Sequence, residues 1–303
     1  MAFDTPILVI ADVHANEAAL QAVMRHARTT YHRYDQLRIW FLGDLFGRGP
    51  DPVRTWVRFG TYNPEAIVVG NHDWRLISNL PDVGDPNYGS DDLAALRIQQ
   101  QDLATVDLLT LDAAGQPTGG GVSEAIKQWA QLAEPLPGVY LIHGGAQVVP
   151  DDTTPDSAIL TNMIIDGYIE TAAMAANTLT TVAMLARRGL PVGGTMLPPS
   201  LVLIGHYHHR VLYRSAYVEP WEPEVVLDQP YVLDASADCP VLLSPGSVGF
   251  PRDIEARNPS YAVLHLTDGR PTSVTFHAVS YDREPVQAVM RERGYPPSLI
   301  ARL

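Results

Sequence analysis

Apolar runs and helical periodicity alternate over residues 6–69. The segments 6–11, 37–42 and 66–69 are short and β-rich, while 17–28 and 52–59 repeat apolar residues at helical spacing. In the first helix Ala18, Leu20, Val23, Met24 and Ala27 share a face, and Asn16 stands where an N-cap belongs. This order predicts a β-α-β-α-β unit with parallel strands. Polar residues just past the strand ends, Asp12, Asp44 and Asn71, then face a ligand crevice.

From residue 78 to 137 the pattern turns acidic and Gly/Pro-punctuated, with helical pieces at 91–103 and 123–133, and reads as an insertion. A strand at 138–142 leads to His143. The stretch 146–200 is a second insertion, with one long helix expected over 157–188 and a Gly/Pro-rich loop over 189–200. A buried strand at 201–204 precedes His206. Strand character at 211–217, 224–233, 241–244, 261–266 and 273–279 predicts a second, more antiparallel sheet, and 282–293 closes as a helix. The expected organisation is one α/β domain over 1–303 carrying both insertions. Their helices would complete a core or offer a homo-oligomer interface.

Composition narrows the partners. A 303-residue chain with 46% apolar and 18% charged residues is an ordinary globule. Its net charge of −13 repels polyanions, so nucleic acid is a disfavoured partner. Cys239 is the single cysteine, which rules out an intrachain disulfide and makes the cytoplasm the default expectation. The N-terminal apolar run lacks a basic flank, and 171–186 is too short for a bilayer, so neither a signal peptide nor a membrane span is expected.

Five polar fragments carry the candidate chemistry: Asp12-Val13-His14, Gly43-Asp44, Gly70-Asn71-His72-Asp73, His143-Gly144-Gly145 and Gly205-His206-Tyr207-His208. Each alone has a plain structural reading as a loop, turn or helix cap. Together they supply carboxylate, amide oxygen and imidazole, the donor mix of hard-to-borderline divalent ions. Asp12 and His14 can reach one ion if the chain leaves its strand in an extended turn. His26, His32, His265 and His277 are expected to be satisfied by packing or hydrogen bonds, and His209 to lie on the surface.

The five blocks, in this order, resemble the calcineurin-like metallophosphoesterase superfamily, with its pattern D-x-H, G-D, G-N-H-[DE], H and G-H-x-H. Residues 12–20 and 244–252 are similar to its bacterial small-phosphodiesterase branch. The likeness covers about 1–77, 138–145 and 201–280. It implies two mixed β-sheets packed face to face and flanked by helices. It further implies one ion on Asp12, His14 and His208, a second on Asn71, His143 and His206, and Asp44 bridging them. A metal-bridging hydroxide would attack a small phosphodiester or phosphomonoester. Mn²⁺ is the preferred ion, with Fe, Zn²⁺, Ni²⁺ and Co²⁺ also compatible.

The same resemblance makes His72 the proton donor, oriented by Asp73 unless that residue only caps a helix. It places Asn71 and Arg252 near the substrate. Arg48, in Gly43-Asp44-Leu45-Phe46-Gly47-Arg48-Gly49, is similar to the phosphate-contacting arginine of Ser/Thr protein phosphatases; otherwise it is a loop residue paired with Asp51. Ala15 after the first histidine and Val69 before Gly70 depart from the pattern, and although His143-Gly144-Gly145 is similar to protein phosphatases, Gly205-His206-Tyr207-His208 is not, which weighs against a dedicated protein phosphatase. The same residues would also suit a dinucleoside polyphosphate hydrolase, and a chain that had lost catalysis would act as a binding scaffold.

Overall fold

Alternation along the strands decides the layering. The computed structural model describes residues 5–34, 37–81, 89–151, 153–162, 164–215, 221–222, 225–252 and 257–303. The chain begins β1 (Ile7–Ile10), α1 (Glu17–Thr30), β2 (Arg38–Phe41), α2 (Pro52–Tyr62), β3 (Ala66–Ile67) and α3 (Asn71–Leu76). There follow α4 (Ser90–Thr105), β4 (Thr110–Leu111), β5 (Pro117–Gly119), α5 (Gly121–Ile126), β6 (Ala133–Leu136), β7 (Val139–Leu141), α6 (Asp156–Asn162) and α7 (Ala172–Arg187). The remainder is β8 (Leu201–Leu203), β9 (Arg210–Arg214), β10 (Trp221–Glu222), β11 (Pro230–Val232), β12 (Val241–Pro245), β13 (Ser260–Thr267), β14 (Arg270–Ala278), α8 (Glu284–Glu292) and α9 (Pro297–Arg302).

Two mixed six-stranded sheets form, in the orders β11-β14-β13-β1-β2-β3 and β10-β9-β12-β8-β7-β6. Within them β1, β2 and β3 are parallel neighbours, as are β7, β8 and β12. Alternate side chains point to opposite faces. Ile7, Val9, Trp40, Leu141, Leu203, Leu243 and Leu264 meet in one core between the sheets. Their neighbours Leu8, Ile10, Ile39 and Phe41 pack under Leu20, Val23 and Met24 of α1. On the far side Tyr140, Val202 and Leu242 pack under Leu179, Val182 and Leu185 of α7. The result is a helix–sheet–sheet–helix sandwich. Burying one large apolar side chain is worth about 1.5–3 kcal/mol, and a one-residue slip would turn each strand's set the wrong way.

Asn16 caps α1, its side chain accepting from the Ala19 N–H at 3.1 Å. Both expected insertions contribute to the outer layers, α4 through Leu93, Leu96 and Leu103 and α7 through its apolar face.

Several expectations need correction. The helix expected over 157–188 is broken into α6 and α7. Between them Gly144 and Gly145 donate to the carbonyls of Ile164 and Gly167, at 2.6 and 2.7 Å, and residues 164–166 form a turn. The helix expected at 123–133 is only α5, after which the chain becomes β6. Of the strand expected at 224–233, residues 230–232 pair; residue 224, like 216–217 of the expected 211–217 strand, lies outside the described residues. Among the described residues no helix is long and apolar enough to cross a membrane.

Candidate metal centre

The carboxyl ends of β1, β2, β3, β7 and β8 meet along one edge of the sandwich, and every candidate ligand follows one of them. Asp12, His14, Asp44, His206 and His208 all adopt left-handed backbone, with φ of 54°, 50°, 60°, 59° and 65°. The extended turn expected at Asp12-x-His14 is therefore a left-handed one. Such conformations cost about 1–3 kcal/mol each and persist where the surroundings dictate them. Here Asp12 N–H donates to Gly43 O at 2.9 Å, His14 N–H to Asp44 O at 2.9 Å, and His206 N–H to Asp12 Oδ1 at 3.1 Å.

Gly70 lets the third strand end approach the second. A Cβ there would lie 2.1 Å from Asp44 Oδ1 and 2.2 Å from Asp44 N. Gly70→Ala is expected to destabilise the fold by about 1–3 kcal/mol through overpacking, visible as a lowered melting temperature. An unchanged melt would mean the two loops can separate freely.

The ligand atoms form two groups sharing one carboxylate. Asp12, His14, Asp44 and His208 make the first, and Asp44, His143 and His206 the second; within each, one donor atom per residue lies within 4.8 Å of the rest. Asp44 Oδ2 is 3.6 Å from His14 Nε2 and 3.4 Å from His143 Nε2. Asn71 Oδ1 lies 3.2 Å from both His143 Nε2 and His206 Nδ1. His208 Nε2 is 3.3 Å from Asp12 Oδ1 and 3.1 Å from His14 Nε2.

Outer contacts set the direction of these rings. His14, His143 and His208 each pair Nδ1 with a backbone carbonyl, of Phe46 at 3.0 Å, Leu42 at 2.6 Å and Phe250 at 2.6 Å. With Nδ1 engaged in this way, Nε2 is the nitrogen turned towards the centre, the arrangement of a metal-binding imidazole.

Burial pushes His14, His206 and His208 down from the ordinary imidazole range, so they are neutral at pH 7. Burial acts the same way on His143, but the adjacent Asp44 carboxylate outweighs it and carries His143 up to about 9. Burial would raise Asp44, and the imidazoles of His143 and His72 instead hold it well below the usual carboxylate range.

The donors fit divalent cations. Asp12 Oδ2, Asp44 Oδ2 and His206 Nε2 are buried without a hydrogen-bond partner, and imidazole lone pairs face one another across about a hydrogen-bond length. Buried polar atoms left this way are costly unless something compensates them. Cations on the two groups would satisfy the carboxylate oxygens and separate the lone pairs.

Of the other expected site residues, His72 is buried with Nδ1 unpartnered, and its backbone N–H donates to Asp44 Oδ1 at 2.8 Å. Burial takes this imidazole down to about 4, against the pull of Asp44 and Asp92. Of the two roles expected of Asp73, the structure shows the helix cap, and its side chain makes no hydrogen bond to His72. Its oxygens accept from the backbone N–H groups of Asp44 (2.8 Å), Gly70 (3.1 Å) and Phe46 (3.0 Å), bracing the loop after β2 and the start of α3. Burial and the Asp44 charge raise its carboxyl to about 7.

Arg48 pairs not with Asp51 but with Asp92 of α4, Nε to Oδ1 at 3.0 Å. Arg252 lies over the Tyr168 ring, 5.4 Å from its centroid, and Tyr168 in turn sits 4.2 Å from the His206 ring. Asp92 and Tyr168 reach the centre from segments that carry no recognisable motif.

His26, His265 and His277 bond to Tyr261 Oη, Thr275 Oγ1 and Tyr31 Oη respectively, and His32 Nδ1 to the Thr29 carbonyl, as expected of satisfied histidines. His209 is half-buried rather than exposed and packs 4.7 Å from the Tyr207 ring.

The family model of calcineurin-like phosphoesterases matches residues 5–170. Among solved structures, the chain is similar to a metallophosphoesterase from Sphaerobacter thermophilus, with 25% identity, a TM-score of 0.67, and 98% of this chain and 97% of that one covered. A hypothetical protein from Pyrococcus horikoshii OT3 shares the fold at 14% identity, with a TM-score of 0.64 over 98% and 96% of the two chains. No curated protein matches.

Proposed function

The chain belongs to the calcineurin-like phosphoesterase family, and on that premise we propose that it hydrolyses a small, nucleotide-like phosphodiester or phosphomonoester at a two-ion centre. The observation that carries this reading is Asp44: a buried carboxylate, with one oxygen that makes no hydrogen bond, shared by two groups of otherwise separate ligands. Asp12, His14, Asp44 and His208 would hold one ion, and Asp44, Asn71, His143 and His206 the other. Mn²⁺ suits this mix of carboxylate, amide oxygen and imidazole. When bound, such a pair of ions acidifies a water and clamps the attacking and leaving oxygens of an in-line displacement.

The chain's own groups do the rest. Asp12 and the left-handed turns fix the imidazoles in place, and the carbonyls of Phe46, Leu42 and Phe250 keep the Nε2 atoms of His14, His143 and His208 turned inward. His72, neutral at pH 7 in the metal-free protein, offers an N–H to the leaving oxygen as negative charge builds there. Arg48 and Arg252 offer guanidinium groups to the non-bridging oxygens. Tyr168 and α4 wall the centre on two sides, which favours a compact substrate.

Turnover of bis-p-nitrophenyl phosphate and p-nitrophenyl phosphate with added Mn²⁺ tests the reading. Hydrolysis of at least one, lost on chelation, is expected; no hydrolysis of either above the chelated control rejects it.

Ion binding should also release protons. Because His143 is raised to about 9 without metal, it is protonated at pH 7 and must lose that proton to become a ligand. About one proton per chain from His143, with a further fraction from the Asp73 carboxyl at about 7, is therefore expected on Mn²⁺ addition at pH 7, falling towards zero above pH 9, read with an indicator dye. The neutral His14, His206 and His208 add none. Uptake of Mn²⁺ without proton release would contradict the Asp44–His143 pairing.

A further inference from the structure

Helix α4 brings a carboxylate into a site built for an anion. Asp92, in the first turn of that helix, accepts from Arg48 Nε through Oδ1 at 3.0 Å, and its Oδ2 lies 3.9 Å from His72 Nε2. Arg48 is buried, and its Nη1 has no hydrogen-bond partner. His72 is equally enclosed, and the residue beside its Nδ1 is Gly47, where a Cβ would come within 2.6 Å; that side of the ring receives no side-chain partner. Asp92 is thus a single group in reach of both the arginine and the imidazole.

The helix holds this carboxylate firmly. Gln99, two turns further along α4, accepts from Gly47 N–H at 2.9 Å and donates to Gly49 O at 2.6 Å, pinning the loop on either side of Arg48. Asp91 next to Asp92 hydrogen-bonds Ser298 of α9, and Tyr295 Oη donates to Gly49 O at 3.1 Å. A bare carboxylate here would repel the substrate's phosphate. Neutralised by Arg48, it instead engages the guanidinium's Nε and leaves Nη1 for a phosphate oxygen.

We infer that Asp92 is a positioning residue, holding the Arg48 guanidinium so that its unpartnered Nη1 receives a substrate phosphate oxygen and steadying the Nε2 side of His72. The inference rests on the phosphoesterase reading of the site. It assigns to α4, which lies outside the ligand-bearing blocks, a part in phosphate recognition.

The test is a double-mutant cycle on the full-length, Mn²⁺-loaded protein, with inorganic phosphate affinity measured by calorimetry and kcat and KM measured on bis-p-nitrophenyl phosphate. Arg48→Ala and Asp92→Ala are each expected to weaken phosphate binding about tenfold or more, as loss of a charge-assisted hydrogen bond does. They should raise KM more than they lower kcat, with metal content unchanged. The double variant should bind phosphate within about twofold of Arg48→Ala alone, because Asp92 acts through Arg48. Asp92→Asn keeps an oxygen for Arg48 Nε and should recover part of the loss; it carries the test if Asp92→Ala does not fold. Wild-type affinity in the Asp92 variants, or losses that multiply in the double variant, would overturn the inference. A coupled cycle in a protein that turns over no ester would sink the phosphoesterase reading and leave only the hold of Asp92 and Arg48 on phosphate; turnover with an uncoupled cycle would sink this inference and leave the phosphoesterase reading standing.

Discussion

Asp44→Asn is expected to reduce ester hydrolysis by more than about 10²-fold and to leave the protein unable to hold two ions at once. Loss of an outer partner of a metal ligand already costs about 10- to 100-fold in affinity or activity, and Asp44 is a shared member of both ligand groups. The substitution puts an amide –NH₂ or carbonyl where Oδ2 now lies, 3.4 and 3.6 Å from two imidazole nitrogens whose rings have their Nδ1 atoms engaged with backbone carbonyls. A neutral group there removes the charge that balances two dications. Its Oδ1 counterpart can still accept from His72 N–H, so the loop should keep its shape. Metal analysis and kcat at saturating Mn²⁺ check this together. Two equivalents and near-normal turnover in Asp44→Asn would show that the carboxylate does not bridge.

His72→Ala is expected to lower kcat by about 10²- to 10⁴-fold, the usual range for loss of a positioned acid, while leaving metal content at the wild-type value. The reason for the separation is geometric: His72 belongs to neither ligand group, and its ring faces Asp92 and His14 rather than the shared carboxylate oxygen. The loss should be steeper for an alkyl ester than for a p-nitrophenyl ester, because nitrophenolate leaves without needing a proton. Equal losses on both leaving groups, or a fall in bound metal, would make His72 a part of the scaffold and not a donor to the leaving oxygen.

Much of this site was legible because strands fix direction. Ile7–Ile10, Arg38–Phe41 and Leu201–Leu203 announce themselves by apolar composition, and in parallel strands the residues just beyond such runs emerge on one side. Asp12, Asp44 and Asn71 could therefore be placed near one another from the strand pattern, while His143, His206 and His208 joined them only through the family resemblance. The sign of φ at Asp12, His14, Asp44, His206 and His208 could not be read from the sequence, since it depends on hydrogen bonds between loops far apart in sequence, such as His206 N–H to Asp12 Oδ1.

Long-range arrivals were equally hidden. Asp92 sits beside Asp91 at a helix start, where acidic residues need no special explanation, and only the packing of α4 on the first core carries it to Arg48. Tyr168 fell inside a segment whose apolar periodicity suggested one helix; the carbonyls claimed by Gly144 and Gly145 break it. Asp73 was legible as a helix cap, which its bond from Gly70 N–H bears out, but not as a brace for Asp44 and Phe46, whose loop the sequence alone does not bring to it.

The most direct test of the two-ion centre is the metal stoichiometry of the purified chain after Mn²⁺ reconstitution, combined with its electron paramagnetic resonance spectrum. Two equivalents of Mn²⁺ with a spin-coupled signal are expected, since both ligand groups share Asp44. One equivalent or none, or two uncoupled ions, would contradict a centre bridged by that carboxylate.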